Sequence, residues 1–363
     1  MRGALIDRRD FVRAAGLAFL AGLSPRAAFA LGRSDAVFAS AYRGADGGYG
    51  IATLTERGEI VDRFDLPARA HGMAFSPATG RTVAFARRPG TFAMVLDLSG
   101  RSEPVILSAP EGRHYFGHGC FSPDGRLLYA SENDFEANGG MIGIYDATAG
   151  FARAGEYSAF GIGTHDLTIS DDGRMLIAAN GGIETHPDFG RTKLNLDHME
   201  PSLALIDASS GALIERHGLP PSLRQLSTRH VDVAAGGRVW FACQYEGPRN
   251  DLPPLVGHFA KGEDLAFVPL PEDVTIGLGN YVGAIAVNRQ DGLVGITSPV
   301  GGGMAVTIDA GSGKVTQSRV LADAAGVAPA ANGFAVSSYR GDFQDRHSPV
   351  AWDQHIVRLA ARG

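Results

Sequence analysis

"HGMAFSPATGRTVAFARR", residues 71–88, is followed by two variations on itself, "HGCFSPDGRLLYASEN" at 118–133 and "HDLTISDDGRMLIAAN" at 165–180. Their leading histidines are 47 residues apart each time. Looser copies continue the series: "HVDVAAGGRVWFACQ" from His230, "GAIAVNRQDGLVGITS" from Gly283 and "GVAPAANGFAVSS" from Gly326. Four of the copies lead into a further apolar run and turn: "FAMVLDLSG", "MIGIYDATAG", "SLALIDASSG" and "MAVTIDAGSG". Alternating apolar residues bounded by Asp-Gly and Ser-Gly turns predict strands, and no long amphipathic helical stretch interrupts them. Self-similarity at this period, one unit of four short strands, is the signature of a β-propeller blade. The length after residue 30 predicts seven blades, with six as the alternative. Residues 36–67 read as a blade without its innermost strand. The last copy, ending "QHIVRLAARG", reads as one without an outer strand, so the ring is expected to close by joining its two ends.

The chain begins with an address. Arg8 and Arg9 precede Phe11, an apolar stretch follows from Ala14 to Leu23, and "AFA" at 28–30 supplies small residues for cleavage. This is the layout of a twin-arginine export signal, and the stretch is far short of the roughly 20 residues a spanning helix needs. Residues 1–30 are therefore read as a signal peptide and 31–363 as a single propeller domain located in the periplasm. The whole chain has a formal net charge of −6 and no basic runs, which argues against nucleic acid as a partner. Cys120 and Cys243, each inside an apolar run of a different repeat, read as buried free thiols.

In a propeller the loops between second and third strands share one face with the connections between blades, around the mouth of the central channel. "NGGIETHPDFGRTKLNLDHMEPSL", residues 180–203, lies between such strands. It is the densest cluster of metal- and anion-capable side chains in the chain. "SENDFEANGG", "QYEGPRNDLPP", "SPVGGG" and "YRGDFQDRHSPVAW" fall on the same face, and the opposite face keeps ordinary "SPDG" and "SDDG" turns. His71, His118, His165 and His230 begin innermost strands at that mouth. The candidate metal ligands are His118, His165, His186 and His230, because a neutral imidazole offers a nitrogen to zinc, copper or iron. Glu184 and Met199 are further candidates. A histidine opening each inner strand can instead donate a hydrogen bond to the next blade, and His71 is read that way. Arg191, Arg229 and Lys193 suit a carboxylate or phosphate, with Tyr245 or Phe189 to stack on a ring. Arg191 has a second reading as a loop-pinning ion pair with Asp188 or Glu184. Runs such as "GHG" and "GGG" read as turn glycines. No Walker loop, nucleophile elbow or dinucleotide fingerprint is present.

The twin-arginine signal, "GHGCFSPDG", the "ETHPDFGR" to "MEPSL" block, Arg229–His230, "QYEG" and "NYVG" together resemble the bacterial family called domain of unknown function 1513. The resemblance covers essentially the whole mature chain. It implies a periplasmic propeller shaped like the amine-dehydrogenase-like and YVTN propellers. It also implies an iron- or haem-linked task beside imelysin-type or di-haem proteins. With the topology, it singles out Glu184, Thr185, His186, Asp188, Arg191, Asn195, Met199, Arg229, Gln244, Tyr245 and Glu246 as ligand-binding residues. Three functions stay open: a binding protein for a transition metal (iron foremost) or its chelate, a lactonase-like hydrolase or oxidoreductase subunit, and a platform for protein partners.

Overall fold

The computed structural model describes residues 36–88, 90–98 and 102–359; residues 1–30, read above as an export signal, lie outside them. Seven four-stranded antiparallel sheets form a closed ring, a seven-bladed β-propeller. In ring order the innermost strands are Val350–Arg358, Ala70–Ser76, Arg113–Phe121, Thr164–Ile169, Leu226–Val233, Ala284–Asn288 and Ala324–Pro329, here blades one to seven. Each lies against its neighbours around the channel.

Blade one is closed from both ends of the chain. Phe38–Gly44 pairs antiparallel with Val350–Arg358, Phe38 opposite Arg358 and Tyr42 opposite Trp352. Trp352 is fully buried and packs edge-on against both Tyr42 and Phe343, which ties blade one to blade seven. "QHIV" thus belongs to blade one. Blade seven keeps four strands, but its outer two, Asp342–Phe343 and Arg346–His347, are two residues each and join the sheet at Ser337 opposite Phe343. That is why the sequence shows no outer strand there.

Local chemistry explains the repeats. In "SPDG" the Ser122 hydroxyl donates to Asp124 at 2.6 Å and accepts the Leu127 N–H at 2.9 Å. Ser170, Asp172 and Met175 repeat this in "SDDG". On the next turn of a blade the Asp207 carboxylate accepts the N–H groups of Ser209 and Ser210, an Asx turn repeated at Asp309. Burial follows position. Leu226–Val233 is buried throughout, whereas the outer strand Ala152–Ser158 alternates exposed and half-buried residues. Large residues such as Trp240, Phe241 and Phe259 fill the space between blades, each contributing about 1.5–3 kcal/mol by leaving water. The helix Glu272–Leu278 lies between blades five and six. Among the described residues no helix is long and apolar enough to cross a membrane.

One irregularity positions the site. Inner strands slip register where they meet the channel: between Ala70 and Met73, Tyr115 and Gly119, Thr164 and Asp166, and Thr228 and His230. The closing strand slips between Trp352 and Ile356. A bulge breaks the in-and-out alternation and re-aims a side chain.

Candidate functional site

Five histidines gather where those bulges fall. His71, His118, His165, His230 and His355 come from the inner strands of blades two, three, four, five and one. His118 touches all four others, with ring centroids 4.9 Å from His71, 5.0 Å from His165, 5.3 Å from His230 and 4.6 Å from His355. His71 and His355 are 4.8 Å apart, as are His165 and His230. Two triads, His71–His118–His355 and His118–His165–His230, each bring one nitrogen per residue within 4.8 Å of the other two.

Aspartates, not histidines, reach across to the next inner strand here. Asp166 accepts the Val231 N–H at 3.1 Å and Asp232 accepts the Val287 N–H at 2.9 Å. Asp166 also faces Nδ1 of His118 at 3.3 Å and Nδ1 of His230 at 3.6 Å. An ionised carboxylate only accepts, so it favours the proton on His118 Nδ1 and leaves that ring's Nε2 lone pair free. His118 Nε2 is buried and without a hydrogen-bond partner, as are both ring nitrogens of His230, Nδ1 of His71 and Nε2 of His355. His165 differs: its Nδ1 lies 3.3 Å from Arg229 Nη1. Guanidinium only donates, so His165 holds its proton on Nε2. Burial holds His118 down at about 4 against the pull of Asp166, and puts His71, His165 and His355 well below the ordinary histidine value. These four imidazoles are neutral at pH 7, the form that binds metal.

Glycine makes the gathering possible. A Cβ on Gly72 would stand 2.3 Å from the Gly117 carbonyl oxygen and 2.7 Å from His118 Nδ1. Gly117, at φ +106, lies within the inner strand and would put a Cβ 2.8 Å from His71 Cδ2. In "GHG", then, glycine serves close approach inside a strand and not a turn.

The loop at 181–201 is held over the same face. Asn195 donates to the Gly182 carbonyl at 3.0 Å and accepts the Glu184 N–H at 2.8 Å. Asn133 donates to the Thr185 carbonyl, and Gln225 to that of Leu196. Thr185, Asn195 and Met199 are buried, so they anchor the loop. His186 does not join the cluster: its Nδ1 accepts the Asp188 N–H at 3.2 Å, and its ring lies against Phe135 and Phe189. Asp188 is 81% exposed, and the Glu184 carboxylate makes no ion pair among the described residues. Lys193 and Arg229 both pair with Glu246, the latter at 3.5 Å. Gln244 bridges to Tyr281, and the Tyr245 hydroxyl donates to Asp251.

Sequence reasoning assigned His71 to inter-blade bonding and passed over His355, Arg87 and Arg88. "WDQHIV" does set Asp353 near His355, as "HD" and "HVD" set an aspartate near the histidine in blades four and five, but in the reverse order. Cys120 and Cys243 form no disulfide; Cys243 is buried, which pushes its thiol up, whereas Cys120 is only half-buried, a correction to its reading as a buried thiol.

A family model described as "Protein of unknown function (DUF1513)" matches residues 64–359. No curated protein matches the chain in sequence. Among solved structures, "Kuenenia stuttgartiensis Hydrazine Synthase" is similar in fold, with a TM-score of 0.61 at 15% identity, over 87% of this chain and 90% of that one. At that identity the likeness speaks for the propeller alone.

Proposed function

We propose that this chain, which belongs to the DUF1513 family, is a transition-metal-binding protein whose metal sits among the channel histidines. The observation that carries the reading is the set of buried ring nitrogens without partners, His71 Nδ1, His118 Nε2, His230 Nε2 and His355 Nε2, gathered in one place. Each buried polar atom left unsatisfied costs about 1–3 kcal/mol, so a cluster of them asks for an occupant. Asp166 behind His118 supplies what a metal-bound histidine needs from its surroundings, a carboxylate that fixes the tautomer and raises basicity, and it stands 3.6 Å from His230 Nδ1. His118 and His230 are the principal ligands, with His71 or His355 completing the set. His165 contributes only if Arg229 gives up its Nδ1.

The donors are neutral imidazole nitrogens, which suit borderline first-row metals such as iron, copper, nickel or zinc over magnesium or calcium. Iron remains the foremost candidate by the family resemblance. The twin-arginine segment supports export to the periplasm, by a route that carries folded proteins and so permits loading beforehand. The deciding experiment is elemental analysis with an absorption spectrum of natively exported protein. Stoichiometric metal that disappears in His118→Ala/His230→Ala supports the reading, and metal-free wild type that also takes up no iron(II), copper(II), nickel(II), cobalt(II) or zinc(II) overturns it.

A further inference from the structure

Beside the histidines stands positive charge that metal binding does not use. Arg87 and Arg88 follow the second strand of blade two, Arg191 stands on the loop at 181–201, and Arg229 sits in the blade-five bulge beside His230. These groups share one neighbourhood: Arg229 Nη1 lies 3.3 Å from His165 Nδ1, Arg229 and the loop residue Lys193 meet on Glu246, and Arg87 lies 4.0 Å from Asp353, two residues before His355. Burial first, and then the charges of Arg229, Arg191 and Arg87, push Arg88 down to about 9. Arg191 is lowered by burial and by Arg87 and Arg229.

Counter-charge is scarce there. Asp353 takes Arg69 at 2.7 Å and lies 4.0 Å from Arg87, and Glu246 is shared between Lys193 and Arg229. Among the described residues Arg88 and Arg191 make no ion pair; Arg88 lies over the Phe116 ring at 5.5 Å. Arg87 keeps Nε and Nη1 buried with no acceptor, and Arg229, 8% exposed, keeps Nε in the same state. Buried guanidinium donors without acceptors, beside like charges, are costly in the free protein. The chain as a whole is acidic, at −6, so this local excess runs against composition.

We propose that Arg87, Arg88, Arg191 and Arg229 form a binding site for a small polyanion with several oxyanion groups, carboxylate or phosphate, that accompanies the metal into the channel. The last clause rests on the metal-binding reading; the anion site itself does not. Guanidinium forks take oxyanions bidentately. Forks brought from blade two, blade five and the blade-four loop suit several groups on one ligand better than a single point charge. A polyanion seated there lies over the histidines and can share a metal with them, and a charged funnel of this kind also speeds capture.

The test is calorimetric titration of the metal-stripped protein with citrate, pyrophosphate and acetate, with cobalt(II) alone in parallel. Citrate or pyrophosphate should bind saturably, and acetate about 10-fold or more weakly. Citrate alone identifies a polycarboxylate site, pyrophosphate alone a phosphate site. Arg88→Gln/Arg191→Gln should lose about 10-fold or more in affinity for the polyanion, with Arg191→Gln on the exposed loop as the variant least able to disturb folding. His118→Ala/His230→Ala should keep anion binding and lose cobalt. No binding of either polyanion to wild type, or full binding in folded arginine variants, overturns the inference even where cobalt binds. Anion binding without cobalt binding removes the metal reading and leaves the anion site standing.

Discussion

His118 lies edge-on to His355, their ring centroids 4.6 Å apart, although one belongs to blade three and the other to the strand that closes the ring. The channel cluster is therefore assembled by the whole propeller, from five blades, and no local segment contains it.

Substitution should separate ligands from bystanders. His118→Ala and His230→Ala are each expected to weaken cobalt(II) or zinc(II) binding by about 10-fold or more, and Asp166→Asn by about 10- to 100-fold through loss of orientation and basicity. His186→Ala should leave affinity within about 2-fold, because its partners are Asp188, Phe135 and Phe189. Titration of the four variants checks this, and a loss in His186→Ala equal to that in His118→Ala would refute the ligand set.

Stability of the metal-free protein should fall on mild acidification. The folded pKa of His118 is depressed to about 4, and those of His71, His165 and His355 are depressed well below 6.5. Between the folded values and 6.5 the unfolded chain binds more protons, so ΔG of unfolding rises with pH across that window. The contribution is fully present above pH 6.5 and is lost as pH falls toward 4. His118 alone accounts for about 3 kcal/mol. Urea midpoints at pH 8, 6 and 5 measure this, and a midpoint independent of pH over that range would exclude buried neutral histidines.

Gly72→Ala is expected to damage both packing and the site. Its Cβ would collide with the Gly117 carbonyl oxygen and with His118 Nδ1, and overpacking of this kind costs about 1–3 kcal/mol. A lower melting temperature together with weakened metal binding is the expected pair of readouts. Gly292→Ala, at an open turn with φ +64, should cost stability alone.

A buried ion pair away from the channel gives the opposite pattern. Glu132 is fully buried, accepts the Tyr145 hydroxyl at 2.7 Å, and is held by Arg153 at 2.7 and 2.9 Å. Arg153→Met leaves that carboxylate uncompensated and should cost about 3–5 kcal/mol. Glu132→Gln in the same chain should recover part of it, with metal affinity unchanged in the folded protein. Equilibrium unfolding of the single and double variants is the check.

Much of this was legible in the sequence. Spacing of the "SPATG", "SPDG" and "SDDG" turns gives the blade, and the mismatched ends give its closure, because turn chemistry is local. The face bearing the long loops is legible from topology, and so is the presence of His118, His165 and His230 on it. What the pattern does not carry is the bulges. A register slip of one or two residues leaves no trace in apolar alternation, yet it decides that His71 and His355 face the others. Nor does composition separate Asn195, Met199 and Thr185, which brace the loop, from Arg191, which stands free on it. Arg87 and Arg88 read as the end of a strand, since their excess charge becomes visible only when three blades meet.

The closing strand has a consequence for how the molecule comes apart. A ring held shut by the pairing of Phe38–Gly44 with Val350–Arg358 opens when that strand peels away. His355 lies in it, against His71 and His118. A metal bound across those three residues would have to be released before the strand could leave, so it would act as a clasp on the unfolding rate as well as on the equilibrium. Occupancy would then set the lifetime of the closed ring, and a chelator would shorten it without touching any residue of the seam.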